Sequence, residues 1–461
     1  MFHNLRSKFT ALHQRQFFRS VSVLVGGTAI AQAVMALALP IITRLYTPQD
    51  FSILAIYISL VGTITSAACL RFEIAIPLPE SDEDAINLVA LASSSVLVIS
   101  IAMGFLFFCF HDLITQALGR PGIGRYLWTI PIGVLLIGIY NALQYWATRK
   151  KQFQLVARTR MSQAIGSVGV QIGWGLFSFG PLGLLLGQLI TGSAGILNIW
   201  RRVLREDRAL LREVSFSRMR GTFLSYIRFP KFSALEALAN SAGAQLPILF
   251  IAAWSAPSEA GQLMLAIKVM QIPLGLIGSA VAQVYLSRAP QEHRSESLNR
   301  FTMTTLSGLT KAGFGPLLFA GILAPPLFSL AFGPSWVRAG ELVRWLVPWL
   351  MLQFLASPIS MVMHIKGHQK LMLLITIGGF LFRCGTVYLF GLVAKNLIAE
   401  AYSITGLIFY SICLIIFCRS AGINLRGIMR ALISSGKITS IWVIAAIAMS
   451  LLYTLITRNV V

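Results

Sequence analysis

From residue 20 onward the chain alternates long apolar runs with short polar segments, and the run lengths predict helices that cross a bilayer. Runs 20–43, 51–70, 85–111 and 126–148 contain no Asp, Glu, Lys or Arg and predict the first four spans. Residues 161–200 are forty residues without a charge, about twice what one helix needs to cross about 30 Å at 1.5 Å per residue. They predict spans five and six, with the turn at Phe179-Gly180-Pro181. Runs 232–254, 261–286, 301–330, 343–363, 371–392 and 401–418 predict spans seven to twelve, and 438–457 predicts a thirteenth. The first run is too long for the apolar core of a signal peptide, although Ala36-Leu37-Ala38 resembles a cleavage site.

Polar punctuation marks where helices begin. Pro48 and Asp50 open span two. Ser81, three residues before Asp84, is expected to cap span three and to set Asp82, Glu83 and Asp84 at its positive end. The same triplet has the form of a metal-binding Asp-x-Asp, but no soluble catalytic domain surrounds it. Pro230 and Pro247 are expected to bend span seven.

Composition fits this pattern, with 56% hydrophobic and 12% charged residues, about half the usual charge of a soluble protein. The net charge of +22 would suggest nucleic acid in a soluble domain. Here the basic residues lie in short loops, where they set orientation, and no nucleic-acid partner is expected. The segment 201–231 carries nine Lys or Arg against Glu206, Asp207 and Glu213. Placing this linker in the cytoplasm gives inner segments four times the Lys and Arg of outer ones. The N-terminus is then inside and, with thirteen spans, the C-terminus outside. Residues 1–19, with Arg6, Lys8, Arg15 and Arg19 beside Phe9, Phe17 and Phe18, read as a basic amphipathic arm on the inner membrane face.

Catalytic and metal-binding patterns are missing. The five cysteines lie in apolar runs, the six histidines are scattered through loops and the N-terminal arm, and no phosphate-binding glycine loop occurs. The expectation is a non-enzyme with no metal and no cofactor. Two weak matches between the halves point to an internal repeat: Pro48 with Pro257, and Pro131 with Pro348, at nearly equal offsets. Six spans per half then form two bundles related by a pseudo-two-fold axis, a transporter architecture. The predicted fold is all-α and polytopic. Its parts are the arm 1–19, a bundle over 20–200, the linker 201–231, a bundle over 232–419 and an extra C-terminal span within 420–461.

Charges within spans carry the functional signal, since one at mid-bilayer costs about 2.5–3.5 kcal/mol even on the lenient insertion scale. Lys268, Lys311 and Arg383 lie in spans eight, nine and eleven, against a single acid, Glu236 in span seven. The interior is therefore net positive and suited to an anion. Amides are numerous, among them Asn141, Gln188, Gln271 and Gln353, and with Tyr57 they suit hydroxyl-rich cargo.

Four stretches give the chain a family resemblance: 43–51 (Thr-Arg-Leu-Tyr-Thr-Pro-Gln-Asp-Phe), 70–76 (Leu-Arg-Phe-Glu-Ile-Ala-Ile) with Leu78-Pro79, 332–340 (Phe-Gly-Pro-Ser-Trp-Val-Arg-Ala-Gly) and Ser357-Pro358-Ile359-Ser360. Over about 20–419 it resembles the Wzx-type oligosaccharide flippases of the multidrug/oligosaccharidyl-lipid/polysaccharide exporter superfamily. The resemblance implies a V-shaped central cavity between two six-helix bundles, in the bacterial cytoplasmic membrane. It implies alternating-access transfer of an undecaprenyl-diphosphate-linked glycan for surface polysaccharide synthesis, coupled to an ion gradient or the membrane potential. A polysaccharide polymerase and a chain-length regulator are further candidate partners. Candidate substrate-binding residues are Arg44, Arg71, Glu73, Lys268, Lys311 and Arg383, with Glu236 for ion coupling. Two residues apart, Arg71 and Glu73 would not share a helix face. Separate roles are expected, Arg71 toward the diphosphate and Glu73 toward a basic group of the other half or the linker. The alternative is a multidrug exporter of the same fold driven by proton or sodium antiport.

Overall fold

The computed structural model describes residues 26–177 and 180–458. The arm 1–19 and the residues Ser178 and Phe179 of the expected turn lie outside them. All regular elements among the described residues are helical, as the spacing predicts, because a chain in hydrocarbon must satisfy its backbone hydrogen bonds within each segment. The long helices are α1 (Gly26–Leu45), α2 (Pro48–Ala68), α3 (Asp82–Cys109), α4 (Thr129–Arg149), α5 (Phe153–Leu176), α6 (Leu182–Glu206) and α7 (Phe229–Trp254). They continue with α8 (Glu259–Arg294), α9 (Leu298–Phe332), α10 (Val337–Ile359), α11 (Gln369–Val393), α12 (Ile398–Ser420) and α13 (Gly436–Arg458).

Twelve of these helices are long and apolar enough to cross a membrane. The other is α5, whose 24 residues span about 36 Å but include Arg158, Arg160, Gln163 and Gln171. Arg158 and Arg160, expected in a loop, lie in the first turns of α5, which starts at Phe153 because nothing between Phe153 and Met161 breaks a helix. Between α5 and α6 the chain turns at Gly180, whose φ of +64° is open to glycine at little steric cost. Pro230 sits in a wide turn, Phe229–Ser233, where Ala234 N–H reaches Phe229 O and the ladder resumes.

The described residues form two compact units, one of those up to 46 with those of 56–245, the other of 47–55 with those from 246 onward. In the first, the basic linker is largely helical, with helices Arg208–Leu211 and Phe216–Ser225, the latter capped by Ser215 Oγ accepting from Arg218 N–H at 3.3 Å. Trp146 Nε1–H donates to Asp207 at 3.0 Å, and Lys150 bridges Asp82 and Asp207 at 2.7 and 3.1 Å. Burial works against the Lys150 ammonium, but its hydrogen bonds to Asp82 and Asp207 outweigh that and raise its pKa.

In the second unit a core of Tyr285, Leu306, Leu309, Phe354, Leu414 and Phe417 joins α8, α9, α10 and α12. Thr47 and Asp50 cap α2 reciprocally: Asp50 Oδ2 accepts from Thr47 N–H at 2.9 Å, and Thr47 Oγ1 from Asp50 N–H at 3.2 Å. The 332–340 stretch is structural too. Gly333 turns at φ +108°, Trp336 is fully buried against Phe51, and Arg338 gathers Glu259, Glu341 and Glu400. On α13, Ile441, Ile444, Leu451 and Leu452 face outward, as a lipid-exposed helix requires.

Candidate functional site

The first unit holds a cavity of about 310 Å³ lined by Tyr57 and Thr65 of α2, Arg71 and Glu73, Asn141 of α4 and Gln188 of α6. Its floor is made where α2 ends. Leu70 and Arg71 adopt φ of +51° and +62°, a left-handed conformation costly for residues with a Cβ and found where function or packing over-determines it. The chain then makes a tight turn over Glu73–Ala75. Phe72 and Ile76, on either side of it, are both fully buried and anchor it.

Arg149 of α4 clamps the following loop. Its guanidinium donates to Pro79 O at 2.6 Å, Ser81 O at 3.1 Å and Asp82 Oδ1 at 2.9 Å. Ser81 also accepts from Asp84 N–H at 3.2 Å. The acidic triplet therefore begins α3 as a cap, with Asp82 committed to Arg149 and Lys150.

The reversal brings Arg71 and Glu73 together, with Nη1 and Oε1 3.5 Å apart. This corrects the expectation of separate faces and of a distant partner for Glu73. The segment is not α-helical, so the helical argument does not apply to it. The pair is incompletely made, since Arg71 Nε and Glu73 Oε2 are buried without hydrogen-bond partners, as are Tyr57 Oη and Thr65 Oγ1. Unsatisfied polar groups are costly when buried, and their convergence on one cavity makes it receptive to a polar ligand. Burial pushes the Glu73 carboxyl above the usual carboxylate range despite a backbone hydrogen bond and the nearby Arg71 charge.

The second unit has an uncharged cavity of about 330 Å³ between α8 and α10, lined by Gln271, Ser279, Gln353 and Ser357 among others. Gln353 Oε1 is buried there without a partner. Lys268, Lys311 and Arg383 do not line it. Lys268 is half-buried and Lys311 exposed. Arg383 donates through Nε to Gly379 O at 3.0 Å and stacks on Phe409 at 4.6 Å. Arg44 and Glu236 are exposed, near the end of α1 and the start of α7. Of the expected site residues, the structure thus joins Arg71 with Glu73 and leaves the others apart from these two cavities. The sequence reading missed Thr65, Ser66 and Ser279. Helical spacing would have found two of them: Tyr57, Val61 and Thr65 on α2, and Gln271, Gly275 and Ser279 on α8, each recur every four residues on one face.

Residues 41–341 match the family described as "Polysaccharide biosynthesis protein". The chain belongs to that family. No curated protein gives a significant sequence match. Among solved structures, the chain's fold is similar to that of the lipid II flippase MurJ in an inward closed conformation, at TM-score 0.70 and 14% identity over 94% of this chain and 98% of that one. An inward-facing multidrug resistance MATE family transporter of the MOP superfamily matches at TM-score 0.55 and 14% identity, over 90% of this chain and 95% of that one. A Vibrio cholerae MATE transporter matches at TM-score 0.53 and 14% identity, over 91% and 97%. The chain is therefore a multi-pass membrane protein of the polysaccharide biosynthesis family with a MurJ- and MATE-like fold.

Proposed function

We propose that the chain is a flippase that carries an undecaprenyl-diphosphate-linked oligosaccharide across the bacterial cytoplasmic membrane by alternating access, for surface polysaccharide synthesis. The observation that carries this reading is the first-unit cavity, where a half-buried Arg71, its Nε buried and without a partner, meets hydroxyls and amides suited to a phosphorylated sugar lipid. At about 310 Å³ it lies at the lower end of small-molecule sites, which run roughly 300–1,000 Å³, room for a diphosphate or one sugar rather than a whole glycan. The uncharged second-unit cavity, with its amides and hydroxyls, suits sugar. In this reading the bundles over 20–200 and 232–419 alternate, the arm 1–19 and the linker face the cytoplasm, and Glu236 serves ion coupling. Arg44, Lys268, Lys311 and Arg383 supply positive potential along the path, and a polymerase and a chain-length regulator receive the product.

The exporter alternative needs a carboxylate free to meet a cationic drug, whereas the cavity's acid, Glu73, already faces Arg71. The test is glycan display in a deletion strain carrying Arg71→Gln, Lys268→Gln or Arg383→Gln at native membrane abundance. Loss of display, with lipid-linked glycan accumulating on the inner leaflet, is expected. Full display by all three variants overturns the cationic path.

A further inference from the structure

The Arg71–Glu73 pair is unfinished in a specific way. A well-formed Arg–carboxylate pair is bidentate, with N···O near 2.7–2.9 Å. This one has a single 3.5 Å approach and leaves one donor, Arg71 Nε, and one acceptor, Glu73 Oε2, both buried and unpaired. The residue Glu73 is only 6% exposed, so water cannot freely complete it. A ligand oxygen can satisfy Nε. Nothing anionic can satisfy Oε2 while the carboxyl is ionised, because two negative groups would share one desolvated site. Both atoms are satisfied at once by an anion on Arg71 and a proton on Glu73, which turns Oε2 from an unpaired acceptor into a donor.

We infer that this cavity binds a phosphoryl-class anion together with one proton on Glu73, so that anion binding and proton uptake are thermodynamically linked. The inference rests on the flippase reading, which brings the diphosphate to this cavity, and names its regulation. The surroundings leave the titration to this carboxyl. Arg71 is the other charge lining the cavity, Cys69 lies on the same turn, and α2, α4 and α6 contribute Tyr57, Asn141 and Gln188. Arg149 reaches Ile76 O nearby but is committed to Asp82 and the loop carbonyls. Burial raises the Glu73 pKa, which favours the protonated carboxyl. The step makes and breaks no bond other than Glu73 O–H, and the proton comes from solvent. Above the Glu73 pKa, the ionised carboxylate neutralises Arg71 and repels the anion. Affinity then falls by about tenfold per pH unit for one linked proton.

The test uses the full chain in lipid nanodiscs and calorimetry in buffers of different ionisation enthalpy. In the pH range where affinity falls with rising pH, sulfate, which does not titrate near neutrality, should bind with net uptake approaching one proton, and zero uptake there overturns the linkage. Farnesyl diphosphate should bind native protein with more proton uptake than Glu73→Gln, an isosteric change that should also flatten the pH dependence of Kd. Equal uptake by both, with binding still lost in Arg71→Ala, overturns the linkage but leaves the site standing. Unchanged binding by Arg71→Ala and by Arg71→Gln overturns the reading of the site itself. Farnesyl diphosphate should bind more tightly than inorganic diphosphate. Equal affinity would make the ligand a free anion and overturn its lipid-linked character.

Discussion

Replacing Arg149 should unfasten the turn that builds the first-unit cavity. Its side chain holds Asp82 at 2.9 Å, Pro79 O at 2.6 Å and Ser81 O at 3.1 Å, with longer contacts of 3.3 Å to Ile76 O and Glu80 O. Hydrogen bonds from a charged donor contribute about 1.5–3 kcal/mol each, and breaking a buried ion pair costs about 3–5 kcal/mol. The Asp82 side chain is 39% exposed, so water recovers part of the loss and the ion-pair figure must be discounted. Arg149→Ala should therefore cost about 3 kcal/mol, or roughly 6–12 °C in the melting of a unit of this size. Arg149→Lys keeps a charge near Asp82 but cannot span both carbonyls with a planar fork, and should recover about a third of that. Scanning fluorimetry in detergent measures the shift, with exposed Arg205→Ala as control, expected within about 0.5 kcal/mol of native. If Arg149→Ala melts no earlier than Arg205→Ala, the clamp does not hold the turn.

Gly261→Ala should abolish assembly of the second unit, because its Cβ would lie 2.1 Å from Pro48 O and 2.7 Å from Ser52 N, backbone atoms that cannot swing aside. Gly278→Ala, with nothing within 4 Å of the added carbon, should leave fluorescence-detected size exclusion unchanged; equal profiles for the two variants would contradict this. The raised Glu73 pKa makes a signed prediction for stability. Its contribution is fully present below the unfolded carboxyl value, about 4.3, and is lost as pH rises through the folded value. The melting temperature of native protein relative to Glu73→Gln should therefore fall from pH 4 toward alkaline pH, and a flat or rising difference would count against the buried acid. A reporter fused after Val461 should be active only outside the cytoplasm. Cytoplasmic activity would place α13 along the membrane surface instead of across it.

Much of this protein is local, and the sequence by itself determined it. Hydrophobic runs such as 85–111 and 401–418 became α3 and α12 nearly end to end, because a segment in hydrocarbon must close its own hydrogen bonds whatever its neighbours do. Pro48 with Asp50 and Ser81 with Asp84 marked helix starts for the same reason, since a cap acts within one turn, although the part of Thr47 in the first cap came only from the structure. Helix extension into the basic segments 153–160 and 208–225 was less legible, because charge places a segment relative to the membrane without breaking its helix. The site belongs to tertiary structure. The meeting of Arg71 and Glu73 depends on two left-handed residues held by buried Phe72 and Ile76 and by Arg149, which is distant in sequence. Periodicity assumes regular backbone, and at this turn packing forced the chain out of it.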